Sequence, residues 1–164
     1  MNKSHGLDRS LVLGAVRTTE AAAIAASKMV GLGDEKGADQ AAVDAMRRML
    51  GDLEINGKVV IGEGERDEAP MLYIGEKVGT HKGQNLDIAL DPLEGTNFVA
   101  NNLPNAFSML AVCEKGNLFS APDTYMEKIA IGSGYPESLI DLDFSVEKNI
   151  KLLAKAKNVN PDQL

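Results

Sequence analysis

Apolar residues recur at helical spacing over residues 7–30. Leu11, Ala15, Thr18, Thr19, Ala22 and Ala26 fall on one stripe, which predicts a long first helix. Gly31 and Gly33 stop it. Its small residues, among them Ala21, Ala22, Ala23, Ala25 and Ala26, permit close approach of another element. Asp34-Glu35-Lys36-Gly37 reads as a turn. A second helix follows to about residue 50, with Ala42, Ala45, Met46, Met49 and Leu50 as its apolar stripe. Arg47 and Arg48 sit near its C-terminal end, where positive charge is favoured. Asn56-Gly57 is a tight-turn signal leading into a strand at 58–61. Further strands are expected at 71–74 and 86–90, the latter ending in Asp91-Pro92. A short helix is expected to open at Gly95-Thr96. A hairpin of 106–113 with 117–121 is expected to turn at Lys115-Gly116. Residues 124–131 are a strand candidate, 132–136 a loop and 146–156 a final helix.

Two helices, then mostly strands, then a helix point to a layered α+β domain, with helices on a mixed or antiparallel sheet. Residues 151–164 read as a helix running into a linker, with Asn160-Pro161 near the break. The expected division is therefore a domain over 1–150, then 151–164 as the start of a linker to a further C-terminal domain. There is no internal repeat and no low-complexity stretch.

Composition narrows the possibilities. A chain of 164 residues with 44% hydrophobic and 25% charged residues can bury a real core. With no Trp and 4% aromatic residues, that core is built mainly from Ala, Val, Ile, Leu and Met. The formal charge of -7 argues against nucleic acid and anionic membranes as partners. A phosphate ester would be repelled too, unless cations bring positive charge to the site. The single Cys113 excludes an internal disulfide and reads as a small buried hydrophobe. Residues 1–8 lack the apolar stretch of a signal peptide, and no run approaches the ~20 apolar residues that span a bilayer, so the expected compartment is the cytosol.

Two loops carry the candidate chemistry. One is Gly62-Glu63-Gly64-Glu65-Arg66-Asp67-Glu68, the other Asp91-Pro92-Leu93-Glu94-Gly95-Thr96, and each directly follows an apolar strand. Neighbouring strands ending at one edge would bring such carboxylates together on a rigid support. Many carboxylates with only two His and one Cys exclude a typical structural zinc site and suit Mg²⁺ or Mn²⁺. A pair of such ions about 4 Å apart clamps a phosphoryl group for in-line attack by water. Taken singly, each feature has a plainer reading. Residues 63–68 could be a solvated acidic loop, Asp39 a helix-dipole partner and Asp91-Pro92 an ordinary turn. The string Asp-Pro-Leu-Glu-Gly-Thr is far more specific than its parts. A helix opening there would aim backbone N–H groups at an anion.

That string resembles the Asp-Pro-x-(Asp/Glu)-Gly-Thr motif of the lithium-sensitive phosphatase superfamily, which includes inositol monophosphatases and fructose bisphosphatases. Three further segments narrow it: 33–47 around Lys36 and Asp39, 60–76 around Glu63, Asp67 and Glu76, and 121–128 around Tyr125. Together they resemble the bacterial class II fructose-1,6-bisphosphatases from about residue 7 to the end of the chain. The resemblance implies the first domain of the layered sugar-phosphatase fold. It implies hydrolysis of the 1-phosphate of fructose 1,6-bisphosphate in gluconeogenesis, a two-metal Mn²⁺ or Mg²⁺ site and a homo-oligomer, dimer or tetramer, to which the Ala-rich first helix could contribute.

Residue by residue, the resemblance makes Asp39 and Glu63 ligands of one metal and Asp91 and Glu94 ligands of the other. Glu94, Gly95 and Thr96 match a substrate-phosphate loop and Tyr125 a substrate contact. Asp67 and Thr96 match the pair that positions or deprotonates the attacking water. Glu35 stands where some members carry Lys, so Lys36 is the basic residue carried over to the catalytic set. Family chains are roughly twice as long, and their C-terminal half adds a metal-ligand Glu and basic groups. That leaves open a sedoheptulose 1,7-bisphosphatase or inositol phosphatase, and a non-catalytic metal-binding or oligomerisation fragment.

Overall fold

The computed structural model describes residues 9–63, 72–119 and 125–164. They fall into two compact units, Met1–Ala121 and Pro122–Leu164. The first holds helices α1 (Ser10–Ser27), α2 (Glu35–Gly51) and α3 (Thr96–Ala100), and strands β1 (Ile55–Ile61), β2 (Lys77–Val78), β3 (Gln84–Glu94) and β4 (Phe107–Glu114). The second holds helix α4 (Val146–Lys157) and a 3-10 turn, Pro161–Gln163. Residue 150 thus lies within α4.

The four strands form one mixed sheet in the order β2-β1-β3-β4. β1 and β3 are parallel, while β2 and β4 are antiparallel to their neighbours. This is the expected α+β arrangement, in its mixed form. α1 and α2 pack together, and their inner faces meet one face of the sheet. The core between them is Ala22, Ala26, Ala38, Ala42, Met46 and Leu50 from the helices, and Ile55, Val59, Leu86, Ile88 and Leu90 from the strands. The period-two burial of Leu86, Ile88 and Leu90 fixes which face of β3 is inside. The expected α1 stripe is the buried one. Thr18 is tolerated there because its hydroxyl donates to the Gly14 carbonyl at 2.9 Å.

Several expectations are corrected. The turn at residues 34–37 is instead the cap and first turn of α2, since the Asp34 carboxylate accepts from the Gly37 N–H at 2.9 Å. Asn56-Gly57 lies inside β1 rather than before it. Asn56 donates to the Asn85 side chain on β3, and Gly57 is buried against Ile88 and Val78. The strand expected at 71–74 is absent from 72–74. Leu72 is buried without a ladder, and a turn at Ile74-Gly75 delivers the chain to β2, two residues long. β3 does not end at Asp91-Pro92 but runs on to Glu94. Its register shifts between Asp91 and Glu94, and a bulge there accommodates a proline that cannot donate to the ladder.

The turn at Lys115-Gly116 exists, but β4 pairs with β3 rather than with 117–119, which are irregular. Gly116 donates to the buried Asp87 carboxylate at 2.6 Å. Residues 120–124 lie outside the described residues, and 125–131 are irregular. Cys113 is half-buried and free, its thiol pushed up by burial and by the Asp87 charge.

In the second unit, the Ser145 hydroxyl accepts from the Lys148 N–H, and Asn158 in the left-handed region ends α4. The buried Asn149 side chain holds Asp141 by two hydrogen bonds, 2.8 and 3.0 Å. Pro161–Gln163 is a capped 3-10 turn.

Candidate active site

The parallel β1–β3 pair explains why two distant loops meet. Ile61 is level with Ala89, so Glu63 and Asp91, each two residues further on, lie at the same end of the β1–β3 pair. Gly62 stands between them for a steric reason. A Cβ on it would lie 2.3 Å from the Leu72 carbonyl oxygen. The third contributor, α2, is fastened to the same end by the segment before it. The Gly31 and Gly33 N–H groups donate to the Val99 and Ala100 carbonyls of α3, both at 2.9 Å. A helix start and a strand end far apart in sequence thus share one edge of the sheet.

The result is a basin of about 440 Å³ lined by Glu35, Lys36, Asp39, Glu63, Asp91, Leu93, Glu94, Gly95 and Thr96. The structure therefore brings together Lys36, Asp39, Glu63, Asp91, Glu94, Gly95 and Thr96 from the expected set. Asp67 lies outside the described residues. Tyr125 belongs to the second unit, where its side chain is exposed. Glu35 and Leu93 were not expected. Glu35 precedes Asp39 by four positions on α2, a spacing that places both on one helix face. That spacing was a usable signal.

Local hydrogen bonds hold the loop. The Asp91 carboxylate accepts from the Leu93 N–H at 3.0 Å, which closes the bulge. Gly95 caps α3 with φ 86, a left-handed conformation that favours glycine, and its carbonyl accepts from Phe98 at 2.9 Å. Thr96 is the first helical residue and faces the basin. Two turns beyond Asp39 on α2, Arg47 grips Glu76 through two hydrogen bonds of 3.0 Å, and Glu76 also accepts from the Tyr73 N–H at 3.2 Å. This half-buried pair ties the segment entering β2 to α2.

The electrostatics are those of carboxylates held together against their repulsion. Burial, then the Asp91 and Asp39 charges and a hydrogen bond to Asp91, push the Glu63 carboxyl up to about 7. Asp39 is raised by burial and by Asp91. Glu94 is raised by its hydrogen bond to Asp91 and by that group's charge. Asp39 Oδ1 is buried with no hydrogen-bond partner among the described residues. An orphaned carboxylate oxygen on a residue that feels the Asp91 and Glu63 charges fits a cation. Among the described residues, though, no three His, Cys, Asp or Glu side chains close into a ready cation cage.

A pH dependence follows. Glu63 titrates near 7 in the folded chain and near 4.5 when unfolded, so its proton stabilises the metal-free fold fully below about 4.5. That contribution is lost as pH rises through about 7. With screening at a partly exposed site allowed for, the loss is about 1–2 kcal/mol, a few degrees of melting temperature. Melting curves in chelator from pH 5 to 8 should show it. Saturating Mn²⁺ should reverse the trend, with metal-linked stabilisation largest at pH 8.

The sequence model of the bacterial, glpX-encoded fructose-1,6-bisphosphatase family matches residues 9–164. A D-fructose 1,6-bisphosphatase class 2/sedoheptulose 1,7-bisphosphatase of Prochlorococcus marinus (strain MIT 9312) is 46% identical over 158 residues, 96% of this chain and 47% of that protein. A fructose-1,6-bisphosphatase 1 class 2 of Escherichia coli (strain K12) is 51% identical over 148 residues, 90% of this chain and 44% of that protein. The chain spans about half the length of the curated relatives it matches. Among the described residues, no helix is long and apolar enough to cross a membrane.

Proposed function

Since the chain belongs to the family of bacterial, glpX-encoded fructose-1,6-bisphosphatases, we propose that it takes part in divalent-metal-dependent hydrolysis of the 1-phosphate of fructose 1,6-bisphosphate, giving fructose 6-phosphate and phosphate. The observation that carries this reading is the convergence of Asp39, Glu63, Asp91 and Glu94 on one basin with Lys36 and Thr96. Asp39 and Glu63 would hold one cation, Asp91 and Glu94 the other, Mn²⁺ and Mg²⁺ being equally suited to the oxygen donors. When bound, such ions neutralise phosphoryl charge and make water a stronger nucleophile.

The chain's own residues supply the rest. Lys36, the one basic side chain among the described residues lining the basin, attracts the anionic ester that five carboxylates repel. Gly95 lets the backbone approach the phosphate, and Thr96 offers it a hydroxyl. The Thr96 hydroxyl takes a proton from the attacking water and hands it to Asp67. Tyr125 contacts the sugar. The reaction rests on positioning and charge neutralisation, as phosphoryl transfer generally does. The working assembly is a homo-oligomer, dimer or tetramer, in the cytosol.

A second substrate, sedoheptulose 1,7-bisphosphate, is favoured by the double name of the Prochlorococcus relatives. Phosphate release from both sugar bisphosphates, with Mn²⁺ or Mg²⁺ and a chelator control, tests the reading. Metal-dependent release, with the faster ester marking the preferred substrate, is expected. Tight metal binding with no release from either would refute catalysis by this chain and leave a metal-binding module.

A further inference from the structure

α1 is apolar on its outer face as well as its inner one. Thr18, Ala22 and Ala26 face the core. At about 100° per residue, Leu13, Glu20 and Ile24 lie within about 40° of one another on the opposite side. Leu13 is 70% exposed, Ile24 61%, Val12 59% and Val16 46%. A helix that is hydrophobic all round is ordinarily covered on both sides.

The charges on this face select the cover. The only ion pair of α1 among the described residues is Arg17 with Glu20, at 2.6 Å, in the middle of the outer stripe. A two-fold axis perpendicular to the helix, beside its outer face and level with the midpoint of Thr18 and Thr19, would set a second copy antiparallel. It would place Arg17 opposite Glu20 of that copy, and Leu13 opposite its Ile24. Val12, Val16 and Ala23 share one flank of the stripe, and in this register Ala23 of one helix would lie within two residues of the level of Val12 on the other. The two ion pairs would merge into a ring of four alternating charges bounded at each end by Leu13 on Ile24. Charge, apolar contact and symmetry agree on one register, as an isologous contact requires.

We propose that the outer face of α1 is a self-association surface, on which a second copy of this chain docks antiparallel through Leu13, Val16, Arg17, Glu20 and Ile24. It gives the proposed homo-oligomer a specific contact and rests on that reading. A helix pair about 27 Å long is a small interface, so association in the micromolar range or weaker is expected of it alone.

Sedimentation velocity of the chain from about 10 µM to about 1 mM tests it, with circular dichroism as a check of folding. The wild type should dimerise. Leu13→Glu should abolish dimerisation. Arg17→Glu and Glu20→Arg should each weaken it at least about tenfold by gathering four like charges, and the double swap R17E/E20R should restore it. Single variants that disrupt with no rescue by the swap would overturn the two-fold register. Association that ignores all these substitutions would leave the homo-oligomer standing and overturn this surface. A chain that stays monomeric throughout overturns both.

Discussion

Asp91→Asn is expected to remove metal-linked stabilisation of the chain and to cut phosphate release by at least ~10³-fold. Asp91 is the hub of the basin. Glu63 and Glu94 both hydrogen-bond to it, and its charge raises Asp39, Glu63 and Glu94. The amide keeps the shape and the bond from the Leu93 N–H at 3.0 Å, because one carbonyl oxygen remains to accept it. What it loses is a full negative charge at the centre of the donor set. Less repulsion among the remaining carboxylates should stabilise the metal-free fold slightly at neutral pH and should bring the Glu63 carboxyl back toward its ordinary range. A more stable, inactive, metal-indifferent variant is a signature that mere misfolding would not give. Thermal melts with and without Mn²⁺, beside phosphate release, read all three effects.

Thr96→Val should separate chemistry from cation binding. The substitution is nearly isosteric and leaves the four carboxylates in place. Thr96 is the first residue of α3, where a β-branched side chain is already accommodated. Removing the hydroxyl removes the group assigned to the water's proton, so turnover should fall by about 10²–10⁴-fold. Mn²⁺ affinity should stay within about threefold of the wild type, and the midpoint of thermal unfolding should barely move. Equal losses of turnover and metal affinity would make Thr96 part of the cation's setting rather than of the proton path.

α1, α2 and α4 were legible through the 3.6-residue period of their apolar positions, whereas the cap at Asp34 was hidden inside an apparent turn and that at Ser145 was not legible. Asn56-Gly57 misled because a hairpin dipeptide has force only with a strand before it, and here it follows a helix. Asp91-Pro92 misled because proline usually ends a strand, whereas a bulge lets β3 continue. Residues 125–131 are mostly apolar but have no ladder partner among the described residues, and a strand without a partner is not a strand.

The site was legible as a set of residues because one motif names half of it. Its assembly was not. That Glu63 stands level with Asp91 depends on the parallel β1–β3 register, and that Asp39 joins them depends on Gly31 and Gly33 binding the end of α3. Both are long-range backbone contacts with no local sequence signature. Glu35 falls between the two cases, visible through its spacing from Asp39 yet given its place on the basin only by the fold.

The central claim is that these carboxylates are a cation site built around Asp91. Titrating the chelator-stripped chain with Mn²⁺, and following the electron paramagnetic resonance signal of free Mn²⁺, tests it most directly. The account predicts that the wild-type chain removes Mn²⁺ from solution stoichiometrically at pH 8, that binding weakens toward pH 5 as Glu63 takes its proton, and that Asp91→Asn loses it. Wild-type and Asp91→Asn chains with the same Mn²⁺ binding, or with none, would contradict it.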